Sequence, residues 1–258
     1  MSLIIIKTPE EIEKIKAACA ITAEVFERVA PWIKPGISTC DLDQIVYQTI
    51  VKHGARPSFL NYGDPPFPGS ACISINDEVV HGIPSKKRIV QDGDIVSVDV
   101  GAYLDGFHSD AARTFLCGHV DPAVEKLVRV TEESFWIGIA QAQVGKRIGD
   151  ISHAIQVHCE SQGFGIVKEL SGHGVGRDLH EDPEILNYGH AGKGPRLQAG
   201  MVIAVEPMVT LGSPRIAIED DDWTIVTRDG QAAAHYENTV VIREDGPEIL
   251  TCLERTRP

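Results

Sequence analysis

Positive charge, long apolar runs and paired cysteines are all scarce in this chain. Lys and Arg number 24 against 37 Asp and Glu, a formal net charge of −13 over 258 residues, and the one compact basic run is Lys86-Lys87-Arg88. Phosphate backbones need a concentrated basic surface, so neither DNA nor RNA is expected as the main partner. The longest apolar run near the N-terminus is Leu3 to Ile6, far short of a signal peptide's hydrophobic stretch or a membrane span. A protein of the cytoplasm, without membrane attachment, is the expectation. Six cysteines (Cys19, Cys40, Cys72, Cys117, Cys159 and Cys252) are scattered with no CxxC pair. That pattern fits neither a cysteine zinc site nor a secreted disulfide framework, and leaves reduced thiols. There is no GxxxxGK(S/T) phosphate loop and no GxSxG nucleophile elbow. His180-Glu181-Asp182-Pro183 is not HExxH either, since Pro183 would break the helix that motif requires. No linker rich in Gly, Ser or Pro divides the chain, so residues 1–258 are read as a single domain with halves of about 1–120 and 121–258.

What the chain does have is a repeat. Val90-Gln91-Asp92-Gly93-Asp94-Ile95-Val96-Ser97-Val98-Asp99 returns 107 residues later as Leu197-Gln198-Ala199-Gly200-Met201-Val202-Ile203-Ala204-Val205-Glu206. Upstream, Gly36, Asp41 and Gly54 return as Gly145, Asp150 and Gly163 at an offset of 109. Two copies of one helix-helix-strand unit are predicted. Thr8-Pro9-Glu10-Glu11 opens the first with an N-cap Thr, Pro at the first helical position and a capping-box Glu; Asp121-Pro122 opens the second. Long helices are expected at 9–33 and 122–143, with second helices at 40–53 and 149–162 ended by Gly54 and Gly163. Each repeated strand closes on an acid, which if buried must find a partner or cost several kcal/mol. Two such strands suggest a shared cation.

Asp105-Gly106 is a strong two-residue hairpin signal, because a type I′ turn needs positive φ at both central residues. The turn sets Leu104 against Phe107 and Gly101 against Asp110, and leaves Asp99 on Asp110's face as a diagonal neighbour with Cβ atoms ~7–8 Å apart. Two acids so placed repel unless an ion lies between them. Further polar groups sit at strand ends. His173 lies within Ser171-Gly172-His173-Gly174-Val175-Gly176, and His180 follows it. His81 ends the run 72–81, read as a second hairpin turning at Asn76-Asp77 with Cys72 opposite His81. Glu237 stands at the start of the β run 235–242. Each histidine alone is more often a hydrogen-bonded structural residue, and each acid alone more often caps a loop.

Taken together, Asp99, Asp110, His173, Glu206 and Glu237 resemble the five metal ligands of the methionine aminopeptidases, in order and in local sequence. The similarity covers nearly the whole chain. It includes VHGIP at 80–84, DGFHSDAARTF at 105–115, SGHGVGRDLHEDP at 171–183, VEPM at 205–208 and YENT at 236–239. It implies an α+β "pita-bread" fold, a pseudo-twofold repeat whose antiparallel curved sheet is covered by helices. About 33 residues separate His173 from Glu206, which leaves no room for the helical insertion of the type II enzymes. With no Cys/His zinc-binding N-terminal extension, type I of the bacterial kind is the best match.

The resemblance implies a hydrolase that removes the initiator methionine from nascent polypeptide N-termini, at or near the ribosome, when the second residue is small, working as a monomer. Four carboxylates and one imidazole suit divalent Co, Mn, Fe(II) or Zn, and this much charge can hold two ions. Asp99 and Asp110 would clamp one, His173 and Glu206 the other, with Glu237 bridging. By the same resemblance Glu206 handles the proton of the attacking water, His180 hydrogen-bonds the peptide carbonyl oxygen and His81 contacts the scissile amide nitrogen. Tyr62, Phe67, Cys72, Leu179 and Trp223 match the methionine pocket, alongside His81 and His180. Leu179 stands where many relatives carry an aromatic residue, and Asp64-Pro65-Pro66 makes a slightly longer loop than usual. Two alternatives share the fold: a proline-directed aminopeptidase or prolidase, which typically carries an N-terminal domain larger than residues 1–8 could form, and a non-enzymatic peptide-binding relative, which would be expected to have lost ligands.

Overall fold

Each half of the chain, in the computed structural model, which describes residues 4–252, opens with two helices and continues into antiparallel strands. Helix α1 (Pro9–Val29) begins at Thr8, whose hydroxyl accepts the Glu11 N–H at 3.3 Å while the Glu11 carboxylate accepts the Thr8 N–H at 2.9 Å. It ends four residues earlier than the pattern suggested and becomes a 3-10 turn over Ala30–Trp32. Pro31 is the reason: it has no N–H to donate and its ring crowds the preceding turn. Helix α2 (Thr39–Lys52) is stopped by Gly54 at φ +72°, and α4 (Ile148–Ser161) by Gly163 at φ +88°. Between them α3 (Pro122–Ile139) starts on Asp121, whose carboxylate accepts the Ala123 N–H at 2.7 Å. Residues 140–141 continue only as a turn, and 142–143 are irregular.

The repeat is written in hydrogen bonds as well as in letters. Gly36 N–H donates to Val90 O at 2.8 Å, and at the predicted offsets Gly145 N–H donates to Leu197 O at 3.0 Å. Val90 N–H reaches Ile37 O at 2.9 Å; its counterpart Leu197 N–H reaches Lys146 O at 2.8 Å. Thus each long loop returns to the start of its second helix, so that the strand after it leaves in the same direction in both halves. Each half also builds its own core. Leu42, Val46, Ile50, Ile73 and Val98 pack in the first, and Leu127, Ile151, Ile155, Ile203 and Val240 in the second. Burial of each such side chain is worth roughly 1.5–3 kcal/mol. Gly138 lets α3 lie close on α4, since a Cβ there would stand 2.6 Å from Ile155 Cγ1. Helix α1 ties the halves together through Ile12, Ile15 and Cys19, which meet Val202, Ala204 and Val241.

Among the described residues the strand pairings are all antiparallel but divide among four sheets. Strands Ile95–Leu104 and Phe107–Leu116 form the central hairpin of the first half; Val202–Val205, flanked by Gly172–Gly174 and Asn238–Arg243, is the centre of the second. A seam joins them in mid-molecule, where Glu237 N–H donates to Ala112 O at 2.9 Å and the Thr239 hydroxyl donates to Asp110 O at 2.7 Å. The 72–81 segment departs from the expected hairpin. Its turn forms at Asn76, φ +59°, and Ile73 N–H donates across to Gly82 O at 2.9 Å, but the arms find their ladders in different sheets: Cys72–Ile75 pairs with Ile95–Leu104, setting Cys72 opposite Asp99, and Glu78–Val80 pairs with Ile225–Thr227. Side chains take over the hairpin's own bonds. The Glu78 carboxylate accepts the Ile75 N–H at 2.6 Å, and Asn76 Oδ1 accepts the Ile95 N–H at 3.0 Å, drawing the turn onto the next strand. Among the described residues no helix is long and apolar enough to cross a membrane.

Lys7, just before α1, forms a buried ion pair with Glu181, both side chains being 2–3% exposed. Glu181 also accepts the Arg177 N–H at 2.8 Å, so the pair anchors the loop that carries Leu179 and His180. Lys7→Met leaves a buried carboxylate without its cation and is expected to cost about 3–5 kcal/mol. A lowered urea midpoint at unchanged slope would register it; a change under about 1 kcal/mol would show the pair to be dispensable.

Candidate metal centre

The turn Asp105-Gly106, with φ of +49° and +90°, sets the register of the central hairpin: Leu104 pairs with Phe107, Gly101 with Asp110 and Asp99 with Ala112. Alternation then turns Asp99 and Asp110 to one face. His173 arrives on the short strand Gly172–Gly174, paired with Ala204, and Glu206 follows the end of the Val202–Val205 strand. Glu237 sits at the seam. Asp110 is 3% exposed and Glu237 2%, and His173 Nε2 lies 3.5 Å from Glu206 Oε1 and 3.7 Å from Asp110 Oδ2.

Three groupings bring ligand atoms within 4.8 Å of one another: Asp99 with Asp110 and Glu237, His173 with Glu206 and Glu237, and Asp110 with His173 and His180. Glu237 is common to the first two, as expected of a bridging group. Asp110 is not confined to the Asp99 side, since it also reaches His173, so it too stands between two positions. The third grouping places His180 within ligating distance, a role the sequence reading did not give it.

Charge makes this arrangement costly as it stands. Burial pushes the Asp99 carboxyl up to about 7. Asp110 is held well above the usual carboxylate range, first by burial and then by the charges of Glu237 and Asp99. Burial followed by Asp110 and Asp99 does the same to Glu206, and burial followed by Glu206 and Asp99 to Glu237. Asp99 Oδ1, Asp110 Oδ1 and Glu237 Oε1 are buried without a hydrogen-bond partner. Such groups call for a cation. The donor set fits a hard or borderline divalent ion. His173 is prepared for one: its Nδ1–H donates to Gly174 O at 2.8 Å, which leaves the Nε2 lone pair facing the acids, and burial lowers its pKa to about 3, keeping the ring neutral.

Beside the acids lies a cavity of about 110 Å³. All twelve residues singled out in the sequence line it: Tyr62, Phe67, Cys72, His81, Asp99, Asp110, His173, Leu179, His180, Glu206, Trp223 and Glu237. Its volume approaches the ~150 Å³ that accepts one benzene, hence room for a single side chain of that order. Phe59, Phe67, Cys72 and Leu179 pack as one apolar cluster with Trp223 against it, and the Phe67 and Trp223 rings meet edge-on at 5.2 Å. Gly63 brings the 61–67 loop onto Trp223, where a Cβ would stand 2.6 Å from the ring. Tyr62, at the rim and 39% exposed, places its hydroxyl 2.6 Å from His180 Nδ1. His81 has φ +61° and turns its ring edge-on to Trp223 at 5.8 Å.

Three residues the sequence reading passed over belong to this neighbourhood. Phe59 lines the cavity from an irregular loop, where no periodicity marks it. Arg113, stacked on the Phe26 and Tyr236 rings at 5.0 and 4.4 Å, donates to Glu237 O and to Asn238 Oδ1 and so fixes the backbone under Glu237. His235, 2% exposed, lies behind the acids with Nε2 3.7 Å from Glu206 Oε2 and 3.9 Å from Glu237 Oε2. Its spacing of two from Glu237 was the available signal.

Residues 13–244 match the profile of metallopeptidase family M24. The chain is 51% identical over 252 residues to a methionine aminopeptidase of Clostridium acetobutylicum, covering 98% of this chain and all of that protein. A methionine aminopeptidase 1 of Bacillus subtilis is 50% identical over 249 residues, 96% of this chain and 99% of its own. Among solved structures, methionine aminopeptidase from Thermotoga maritima superposes with a TM-score of 0.95 at 45% identity, over 97% of this chain and 100% of that one. Prolidase from Pyrococcus furiosus superposes at 0.79 with 26% identity over 97% of this chain, but only 66% of the prolidase is covered.

Proposed function

We infer that this chain, which belongs to metallopeptidase family M24 and within it to the methionine aminopeptidases, removes the N-terminal methionine of nascent proteins and peptides by divalent-metal-dependent hydrolysis. One observation carries the reading: four buried carboxylates and an imidazole meet at the wall of an apolar cavity sized for one side chain. The fold is the pita-bread α+β arrangement shared with the prolidases. Identities of 51% and 45% to methionine aminopeptidases, against 26% to the prolidase, favour the methionine-specific reading over the proline-directed one.

The finer assignments rest on geometry and resemblance. Two divalent ions, of Co, Mn, Fe(II) or Zn, are proposed: one held by Asp99, Asp110 and Glu237, the other by His173, Glu206 and Glu237 with Asp110 shared between them. When bound, such a pair lowers the pKa of water and polarises a carbonyl. The chain's own groups do the rest. Glu206, raised above the carboxylate range by burial, is fitted to take a proton from water and pass it on. By the resemblance, His180, beside His173 in the cavity wall, would offer a ring nitrogen to the carbonyl oxygen, and His81, beside Trp223, would contact the amide nitrogen. Phe59, Phe67, Cys72, Leu179 and Trp223 would enclose the methionine side chain and exclude water. The whole cavity is built from one chain, so action as a monomer is proposed. The proposed place is the cytoplasm, where new N-termini emerge from the ribosome.

A small second residue is the remaining expectation. With Mn, Fe(II), Co or Zn supplied in turn, Met-Ala-Ser should be cleaved with a kcat/KM ~10–200-fold above Leu-Ala-Ser, the discrimination an apolar pocket can achieve. Met-Lys-Ser should be cut far more slowly than Met-Ala-Ser. Similar rates for Met- and Leu-starting peptides would refute the specificity, and a preference for Xaa-Pro dipeptides would favour the prolidase reading.

A further inference from the structure

We propose that His235 is a positioning residue for Glu206, donating its Nε2–H to Oε2, the carboxylate oxygen other than the one that faces His173. The Glu206 carboxylate lies between two imidazoles. Its Oε1 faces His173 Nε2 at 3.5 Å, and its Oε2 faces His235 Nε2 at 3.7 Å. His173 belongs to the cavity wall and has its other nitrogen engaged by Gly174 O. His235 is 2% exposed, lies behind the wall, and has both ring nitrogens without a hydrogen-bond partner among the described residues. Orphaned polar groups at such depth cost about 1–3 kcal/mol each and are rare. An apolar side chain would fill the place at no such cost, so the ring is more than packing there.

The backbone holds the ring in place. His235 is the last residue of the strand Ala233–His235, and both of its backbone polar groups bond Thr114: the Thr114 hydroxyl donates to His235 O at 2.8 Å and accepts the His235 N–H at 3.0 Å. A change of well under 1 Å at the flexible Glu206 side chain turns 3.7 Å into a hydrogen bond of ordinary length. Of the two acids near the ring, Glu206 is the nearer, with Oε2 at 3.7 Å against 3.9 Å for Glu237 Oε2, and its backbone carbonyl is anchored by Asn187 Nδ2 at 2.9 Å. With Oε2 held by His235, Oε1 is the oxygen left to the ion that His173 also faces. Partners of this outer kind orient a ligand and typically carry 10–100-fold in metal affinity.

The inference rests on Glu206 being a metal ligand, and the two ideas separate experimentally. Mn(II) and Co(II) binding to the chelator-treated protein would be measured by calorimetry for wild type, His235→Leu, His235→Gln and Glu206→Gln. His235→Leu should weaken the tighter site 10–100-fold. His235→Gln, whose amide keeps an N–H donor near the same place, should recover most of that loss. A Leu variant that binds like wild type while Glu206→Gln loses metal overturns the role of His235 alone; Glu206→Gln binding like wild type overturns the ligand assignment instead. Should the Leu variant not fold, nitrogen NMR of the zinc-loaded wild type decides. A slowly exchanging proton on His235 Nε2 supports the proposal, and an unprotonated Nε2 overturns it.

Discussion

Asp110→Asn should abolish turnover and, in the metal-free protein, raise the melting temperature. Loss of function follows from the position of Asp110 between Asp99 and Glu237 on one side and His173 on the other. An amide offers one neutral oxygen where an anion was shared. Groups that merely orient a ligand carry 10–100-fold, so loss of a shared ligand should lower kcat/KM by at least about 10³-fold. The gain in stability follows from the same charges. An acid whose folded pKa lies above its unfolded value keeps a proton in the folded state that the unfolded state releases, so its contribution to stability falls as pH rises between the two values. For Asp99 the window runs from 3.8 to about 7, which corresponds to about 4 kcal/mol of destabilisation once pH exceeds 7. Asp110, Glu206 and Glu237 are shifted in the same direction.

Removing one of four mutually repelling acids should relieve part of this, by several degrees in Tm at pH 7.5 for a chain of this size. The buried neutral rings of His173 and His235, both with pKa lowered to about 3, act oppositely, but only below 6.5. Comparing wild type with variant above pH 7 therefore isolates the carboxylates. Added Mn(II) should raise the wild-type Tm more at pH 7.5 than at pH 5.5, because protons compete for the same oxygens. In Asp110→Asn it should do little at either pH. A variant that keeps activity within about tenfold, or that melts lower than wild type without metal, would contradict this account of the site.

His180→Ala should leave metal content and KM nearly unchanged while kcat falls ~10²–10³-fold, about 2.7–4 kcal/mol of barrier, as expected for removing one donor to a developing oxyanion. Burial lowers the His180 pKa below its ordinary 6.5, so the ring is neutral at pH 7 and carries a single N–H. The Tyr62 hydroxyl lies 2.6 Å from Nδ1; in the tautomer in which the phenol is the donor, the ring proton is on Nε2 and can serve a carbonyl oxygen. Tyr62→Phe should accordingly lower kcat less than His180→Ala does. Since Asp110, His173 and His180 also lie within ligating distance of one another, metal analysis of His180→Ala is the decisive control. A drop in bound metal would move His180 from the oxyanion to the ligand shell.

Short-range features of the site were legible because short-range chemistry sets them. Asp105-Gly106 can turn only one way, and with the turn came the register that puts Asp110 opposite Gly101. Thr8, Asp121 and the glycines at 54 and 163 mark helix ends by satisfying or ending a backbone ladder. Where a distant side chain intervened, the pattern misled. Asn76-Asp77 makes a plausible hairpin turn, yet the Asn76 and Glu78 side chains accept the Ile95 and Ile75 N–H groups and the two arms join different sheets. Pro31 was visible in the sequence and should have shortened α1.

By itself the sequence determined the doubled helix-helix-strand plan and the hairpin register, because these depend on residue type and spacing; twelve of the residues lining the cavity were indicated by the resemblance of its motifs to the methionine aminopeptidases. Tertiary structure alone decided that Asp110 reaches His173 as well as Asp99 and Glu237, that Phe59 lines the apolar wall and that His235 lies behind Glu206. Those are distances of a few ångströms between residues as far apart in sequence as Asp99 and Glu237, across a seam where two sheets meet. No local preference encodes such a distance; it emerges when both cores are packed and α1 locks the halves together.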